Sequence, residues 1–214
     1  KVLDQNSPAQ PEIEILKSRL ILGTVIDHLN LNIQVSSTEN TIWNRLTAQH
    51  EYSKKYNKNS VLFKENQKAF DIRQFEVPAY FQDKDLGLNF QSGKYTLTDP
   101  VTEQIVFSAP LNQSSELQSE YGRWKIAIYT QDQLDARYII QKQSLPAAVK
   151  SILGNYSVAE KGKMTGVLGL NYKGTDKEHI TEVLNAILAA SSQQNIERRS
   201  AETAQTLKFL DEQL

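Results

Sequence analysis

The sequence predicts an α+β protein. An α/β base is formed by both chain ends, an antiparallel, jelly-roll-like β-sandwich is inserted between them, and a long exit helix closes the chain. Three observations predict this. Apolar residues recur at helical spacing from Ile15 to Leu29; from Phe70 to Gln143 the period falls to two between turn pairs; after Thr175 a helical pattern resumes and runs to Leu214.

Residues 1–10 read as a polar lead-in. Pro11 suits a first helical turn, and Glu12 and Glu14 suit the positive end of the helix that follows. Ile15, Leu22, Ile26 and Leu29 form its apolar stripe with Leu16 and Leu20 beside it, and Gly23 permits close packing. After Asn30, Leu31, Ile33 and Val35 alternate with polar residues, as in a strand. "NTIWNRLTAQ" predicts a short helix, and the Lys- and Asn-rich "HEYSKKYNKNS" a solvated loop.

The middle of the chain is β in character. Ile72 and Phe75 have polar neighbours, and "KYTLT" and "QIVFS" flank the turn pair Asp99-Pro100. "RWKIAIYTQ" and "ARYIIQKQ" are further strands. A helix follows from Ser144 to its stop at Gly154, then a last strand in "MTGVLGLNYKG". "TDKE" predicts a capping box between Thr175 and Glu178. A helix from there to Leu214 would span about 60 Å, longer than a small core can cover. Ile180, Val183, Leu184 and Ile187 give it an apolar start, "SSQQNIERRSAETAQ" a polar middle, and Leu207, Leu210 and Leu214 a second apolar spacing that suits a partner helix. The base is thus expected from residues 1–66 and 144–214, and the β-rich insert from 67–143. A chain stopping inside a helix reads as a fragment.

Composition narrows the function. The 214 residues carry a net charge of -1, are 39% hydrophobic and 23% charged, and include no cysteine. That balance opposes nucleic-acid binding, which needs a basic surface. Without cysteine there are no disulfides, thiolate nucleophiles or Cys-ligated zinc. His28, His50 and His179 lack ligand spacing, so no metal or catalytic role is assigned to them. Glu12 with Glu14, and Asp83 with Asp85, read as solvated charge rather than a glycosidase pair. No catalytic, cofactor-binding or metal residue is therefore expected.

Two places remain as contact candidates. Trp124, beside Tyr121, Arg123 and Tyr129, could stack on a sugar ring, but alternation puts it with Ile126 and Ile128 on the interior face. Core placement is the expectation. Arg198 and Arg199, beside Glu197, could form inter-subunit ion pairs or line a lumen, or belong to a solvated helix face.

"EIEILKSRLILGTVIDHLNLNI" resembles the opening of the Wzz chain-length-determinant domain of bacterial polysaccharide co-polymerases. "IRQFEVP" with "YTLTDP" resembles the β insert of the subgroup carrying a tyrosine autokinase, the Wzc-like proteins. "TGVLGLNYKGTDKEHITEVLNAI" and "QNIERRSAETAQTLKFLDEQL" are similar to that subgroup's last strand and exit helix. The matches recur in order along nearly the whole chain. Two stretches depart: "TIWNRLTAQ" stands where relatives often carry "YFP-IG", and "VTEQ" replaces a Gly-rich turn.

The resemblance implies a periplasmic, Wzz-like domain anchored in the bacterial inner membrane by flanking helices. It implies a homo-oligomer working with a polysaccharide polymerase, an outer-membrane export protein and the nascent polysaccharide, and no nucleic acid. ATP and Mg belong to a kinase domain outside this stretch, because no "GxxxxGK[ST]" loop occurs in the sequence. Gly162, Gly166, Gly169 and Gly174 lie scattered about a strand. The expected function is regulation of capsular or exopolysaccharide polymerisation, chain length and export. The alternatives are a kinase-free O-antigen chain-length regulator and a carbohydrate-binding β-sandwich module.

Overall fold

Period-two alternation builds most of the molecule. The computed structural model describes residues 9–38, 52–58, 60–162 and 164–211. They fall into two compact units, one of residues 26–148 and one combining Lys1–Val25 with Val149–Leu214.

The larger unit is a sandwich of two antiparallel five-stranded sheets. Its strands are β1 (Ile33–Ser37), β2 (Tyr52–Asn57), β3 (Ser60–Glu65), β4 (Lys68–Glu76), β5 (Leu86–Gln91), β6 (Lys94–Thr98), β7 (Ile105–Pro110), β8 (Gln113–Ser119), β9 (Gly122–Tyr129) and β10 (Ala136–Lys142). One sheet has the order β1-β10-β5-β6-β7, the other β2-β3-β4-β9-β8. Their inner faces carry alternate residues, and Phe63, Phe70, Ile72, Leu88, Phe90, Leu97, Trp124 and Ile126 are all sealed from water. Aromatic rings bridge the sheets: the Phe70 centroid lies 4.9 Å from Phe90 and 5.1 Å from Tyr138.

Several expectations are corrected here. The stretch placed in a solvated loop forms β2, whose Lys54 is half-buried while Lys55 is exposed. An edge strand needs only one apolar face, and lysines there deter pairing with other chains. The jelly-roll expectation also fails, because β2-β3-β4 and β5-β6-β7 run as sequential meanders rather than alternating between sheets. The first strand does not join the last in one α/β base. Instead β1 pairs with β10, from Ile33 opposite Lys142 to Ser37 opposite Tyr138. The described residues between Ile26 and Asn66 accordingly group with the sandwich. The helix predicted within residues 40–49, like His50, lies outside the described residues.

In β4, Ile72 and Phe75 both face the core although three residues apart. The register against β9 passes from Ile72↔Ile128 to Gln74↔Ala127, so Arg73 is the extra residue of a bulge.

The smaller unit contains α1 (Gln10–Leu16), β11 (Tyr156–Glu160), β12 (Leu168–Tyr172) and α4 (Lys177–Asp211); α2 (Arg19–Leu29) and α3 (Leu145–Leu153) straddle the division between units. The opening helix is two helices, not one. Ser18 interrupts it, with its Oγ accepting from the Ile21 N–H at 3.4 Å as a local cap. β11 and β12 pair antiparallel.

The cap of α4 lies one residue later than predicted. Asp176 Oδ1 accepts from the N–H groups of Glu178 (2.9 Å) and His179 (3.2 Å), so the carboxylate replaces the Thr175 box. At about 1.5 Å per residue α4 is roughly 50 Å long. It docks through Val183 and Ile187, both fully buried, and against α1 and β12. From Ile196 to Phe209 every residue is exposed. No helix among the described residues is long and apolar enough to cross a membrane.

Candidate functional site

Three connections of the sandwich converge on one cleft of about 400 Å³. They are the 3-10 turn Ala79–Phe81 after β4, the β6–β7 turn and the β8–β9 turn. Sandwich scaffolds commonly place binding residues on such clustered connections.

Each connection is fixed by local chemistry. Pro78 precedes the 3-10 turn, which the Phe81 N–H closes onto the Pro78 carbonyl at 2.9 Å. Asp99 builds the β6–β7 turn: its Oδ1 accepts from the N–H groups of Val101 (2.8 Å) and Thr102 (3.0 Å). Ser119 organises the β8–β9 turn. Its Oγ accepts from Trp124 Nε1 (3.1 Å) and the Tyr121 N–H (3.2 Å), and donates to the Gly122 carbonyl (3.0 Å). Gly122 has φ 123°, a conformation side chains rarely adopt.

The floor of the cleft is apolar and dry, made by Phe81 and Trp124 with ring centroids 4.8 Å apart. Above it stand Tyr80 and Tyr121, stacked at 4.8 Å with planes 22° apart, yet 56% and 47% exposed. Lys84 Nζ lies 3.5 Å from the Tyr80 ring centre and 3.9 Å from Asp99 Oδ2. The rim adds Thr102, Gln104 and Glu120. Glu120 beside Tyr121, with some burial, pushes the phenol of Tyr121 up from its ordinary value.

The Asp99 carboxyl is held below the ordinary aspartate value of 3.8, chiefly by the Thr102 and Val101 N–H groups, with Lys84 contributing. A depressed folded-state value means that this stabilisation is complete above 3.8 and lost as pH falls through the lower folded value. Asp99→Asn is expected to flatten the acid limb of the stability–pH curve. Urea midpoints measured from neutral pH down to pH ~3 check this; an unchanged acid slope contradicts it.

Trp124 is fully buried, so its indole presents no face to a glycan. Its neighbour Tyr121 is partly exposed, and Tyr80, which nothing in the local sequence singles out, stacks beside it. The other aromatic considered, Tyr129, lines a separate depression where the Arg73 guanidinium covers its ring at 4.0 Å. Arg198 and Arg199 are exposed on α4 without an ion pair among the described residues. Arg199 borders a shallow groove with Leu188 and Ile196. The carboxylates weighed as an acid–base pair are structural: Asp83 Oδ1 accepts from the Ser144 N–H at 2.8 Å, and Asp85 Oδ1 from Gln141 Nε2 at 3.0 Å. Among the described residues no group of three or more His, Asp or Glu could hold a metal. Aromatic platform, carboxylate and carboxamide suit reversible binding; a nucleophile with an adjacent base is not present in the cleft.

No protein-family model matches the chain. It is 63% identical over 213 residues to the tyrosine-protein kinase ptk of Acinetobacter johnsonii, an alignment covering 100% of this chain and 29% of that protein. The tyrosine-protein kinase wzc of Salmonella typhimurium is 30% identical over 95% of the chain and 26% of its own length. The chain is homologous to one segment of Wzc-type tyrosine-protein kinases. A putative tyrosine-protein kinase in the cps region of Klebsiella pneumoniae is 29% identical, over 99% of the chain and 27% of that protein. The chain thus spans less than a third of the curated relatives it matches. In structure the chain is weakly similar to the flagellar hook junction protein FlgK of Burkholderia pseudomallei, at 14% identity and a TM-score of 0.27 over 71% of this chain and 27% of that one.

Proposed function

We propose that this chain is the periplasmic segment of an inner-membrane tyrosine autokinase that governs capsular or exopolysaccharide polymerisation, chain length and export through oligomer assembly. The supporting observation is the end-to-end match to one segment, 26% to 29%, of proteins named tyrosine-protein kinases. The phosphate loop a kinase needs is not in this segment. ATP and Mg therefore act in another part of the parent protein.

The role of this segment is organisational. The unit built from both chain ends serves as a Wzz-like base next to the membrane. The exposed half of α4, with Ile196, Leu207 and Phe209 each about 60% exposed, offers a helical surface for a neighbouring subunit. Arg198 and Arg199 lie on that same stretch and would pair with acidic groups across the subunit boundary. The polymerase, the outer-membrane export protein and the growing polysaccharide are the partners this reading requires.

Native membranes test the proposal, blotted with one antibody to this chain and another to phosphotyrosine. The expected result is one membrane-bound band, several times larger than the chain, reacting with both. A modestly larger band without phosphotyrosine would indicate a kinase-free chain-length regulator. A band confined to the soluble fraction would refute both membrane readings.

A further inference from the structure

We propose that the Tyr80–Tyr121 cleft is a carbohydrate subsite that takes one neutral pyranose. This rests on the chemistry of the cleft and not on the family reading, so either can fail alone.

Large aromatic side chains on a soluble domain normally bury their rings, yet these two stand half-exposed and stacked on each other. Neither is loose. Lys84 sits against the Tyr80 ring, Phe81 packs edge-on to Tyr121 at 5.2 Å, and Ser119 holds the Tyr121 backbone. A ring ordered in advance costs little entropy when a ligand arrives. With Tyr80 held between Lys84 and Tyr121, the ring face left for the polarised C–H groups of a pyranose is the one Tyr121 turns away from Tyr80. The hydroxyls of the sugar then need acceptors and donors at the rim, which the Glu120 carboxylate and the Gln104 carboxamide supply.

Size and charge narrow the ligand further. About 400 Å³ is the space of one small ligand rather than a folded partner. The charged residues lining the cleft are two anions, Asp99 and Glu120, and the nearby cation, Lys84 over the Tyr80 ring, already faces Asp99. That balance disfavours phosphates, nucleic acids and acidic sugars. A neutral glycoside fits it.

Saturation-transfer NMR on the full chain tests the inference, with the methyl pyranosides of glucose, galactose, mannose and N-acetylglucosamine, and methyl glucuronide for comparison. At least one neutral glycoside should receive saturation on its ring C–H groups with millimolar affinity, and the glucuronide should bind more weakly. Tyr121→Ala should weaken binding about 10-fold, the scale of one aromatic contact. Glu120→Gln, which alters an exposed side chain and spares the fold, should weaken it several-fold. The Trp124 indole N–H resonance reports whether each variant keeps the sandwich intact. Saturation of no neutral glycoside, tighter binding of the glucuronide, or unchanged binding by Glu120→Gln would each overturn the proposal.

Discussion

Trp124→Ala is expected to destabilise the sandwich by about 3–5 kcal/mol, read as a fall in the urea midpoint at constant slope. The indole is fully buried between the sheets, 4.8 Å from Phe81 and 5.7 Å from Phe107 by ring centroids. Truncation leaves a cavity that the facing rings cannot close, since Phe107 is held in β7 of the facing sheet and Phe81 in the 3-10 turn after β4. Ser119 Oγ also loses the indole as a donor. Against a typical total of roughly 5–15 kcal/mol, that is a large share of the stability.

Trp124→Phe separates volume from polarity. It keeps an aromatic filler, so its cost should stay near ~1–2 kcal/mol, the scale of one lost hydrogen bond and a smaller ring. Because the Trp124 indole in the cleft floor is fully buried and presents no open face, Trp124→Phe, which keeps an aromatic floor, should bind a glycoside nearly as the unaltered chain does. A selective loss of binding in a well-folded Trp124→Phe would mean that the indole, not Tyr121, is the stacking surface.

The interior of the sandwich was legible where both neighbours of a strand are present. β9 alternates Trp124, Ile126 and Ile128 inward because it lies between β4 and β8 and one of its faces is dry. Two of the edge strands, β2 and β8, were not legible. β2 and β8 each pair on one side only, and "QSSELQS" carries one large apolar residue, Leu117, which is 43% exposed. Such a strand is held by its ladder to β9 and leaves little trace in hydropathy. The β4 bulge hid in the same way, since Ile72 and Phe75 break the period of two.

The cleft was half visible for a different reason. Tyr121 stands out in the sequence only as a neighbour of Trp124, and Tyr80 not at all, although "VPAYF" places two aromatics just beyond Pro78, where a strand gives way to a turn. Only topology brings them together: β8 and β9 return the chain to the end of β4, so turns distant in sequence share a wall. Likewise, the cap of α4 was expected one residue early, at the Thr175 hydroxyl, because Thr175 and Asp176 are both good caps and the backbone chose the stronger acceptor.

The largest effect is expected in the smaller unit. Ile187→Asp should cost more than about 5 kcal/mol, the sum of a lost core side chain and a carboxylate forced into a dry site without a partner. Ile187 and Val183 are the fully buried residues of α4, and the rest of that long helix has little burial to hold it. An isolated helix of largely polar sequence is marginal in water, so α4 depends on this short contact. Far-UV circular dichroism should therefore show a loss of helix, while the Trp124 indole N–H resonance stays at its native shift. Ile187→Ala should give a milder loss, about 2–5 kcal/mol. If Ile187→Asp left the helical signal unchanged at room temperature, α4 would have to draw its stability from somewhere other than Val183 and Ile187. The exposed stretch from Ile196 to Phe209 would then be the place to look for it.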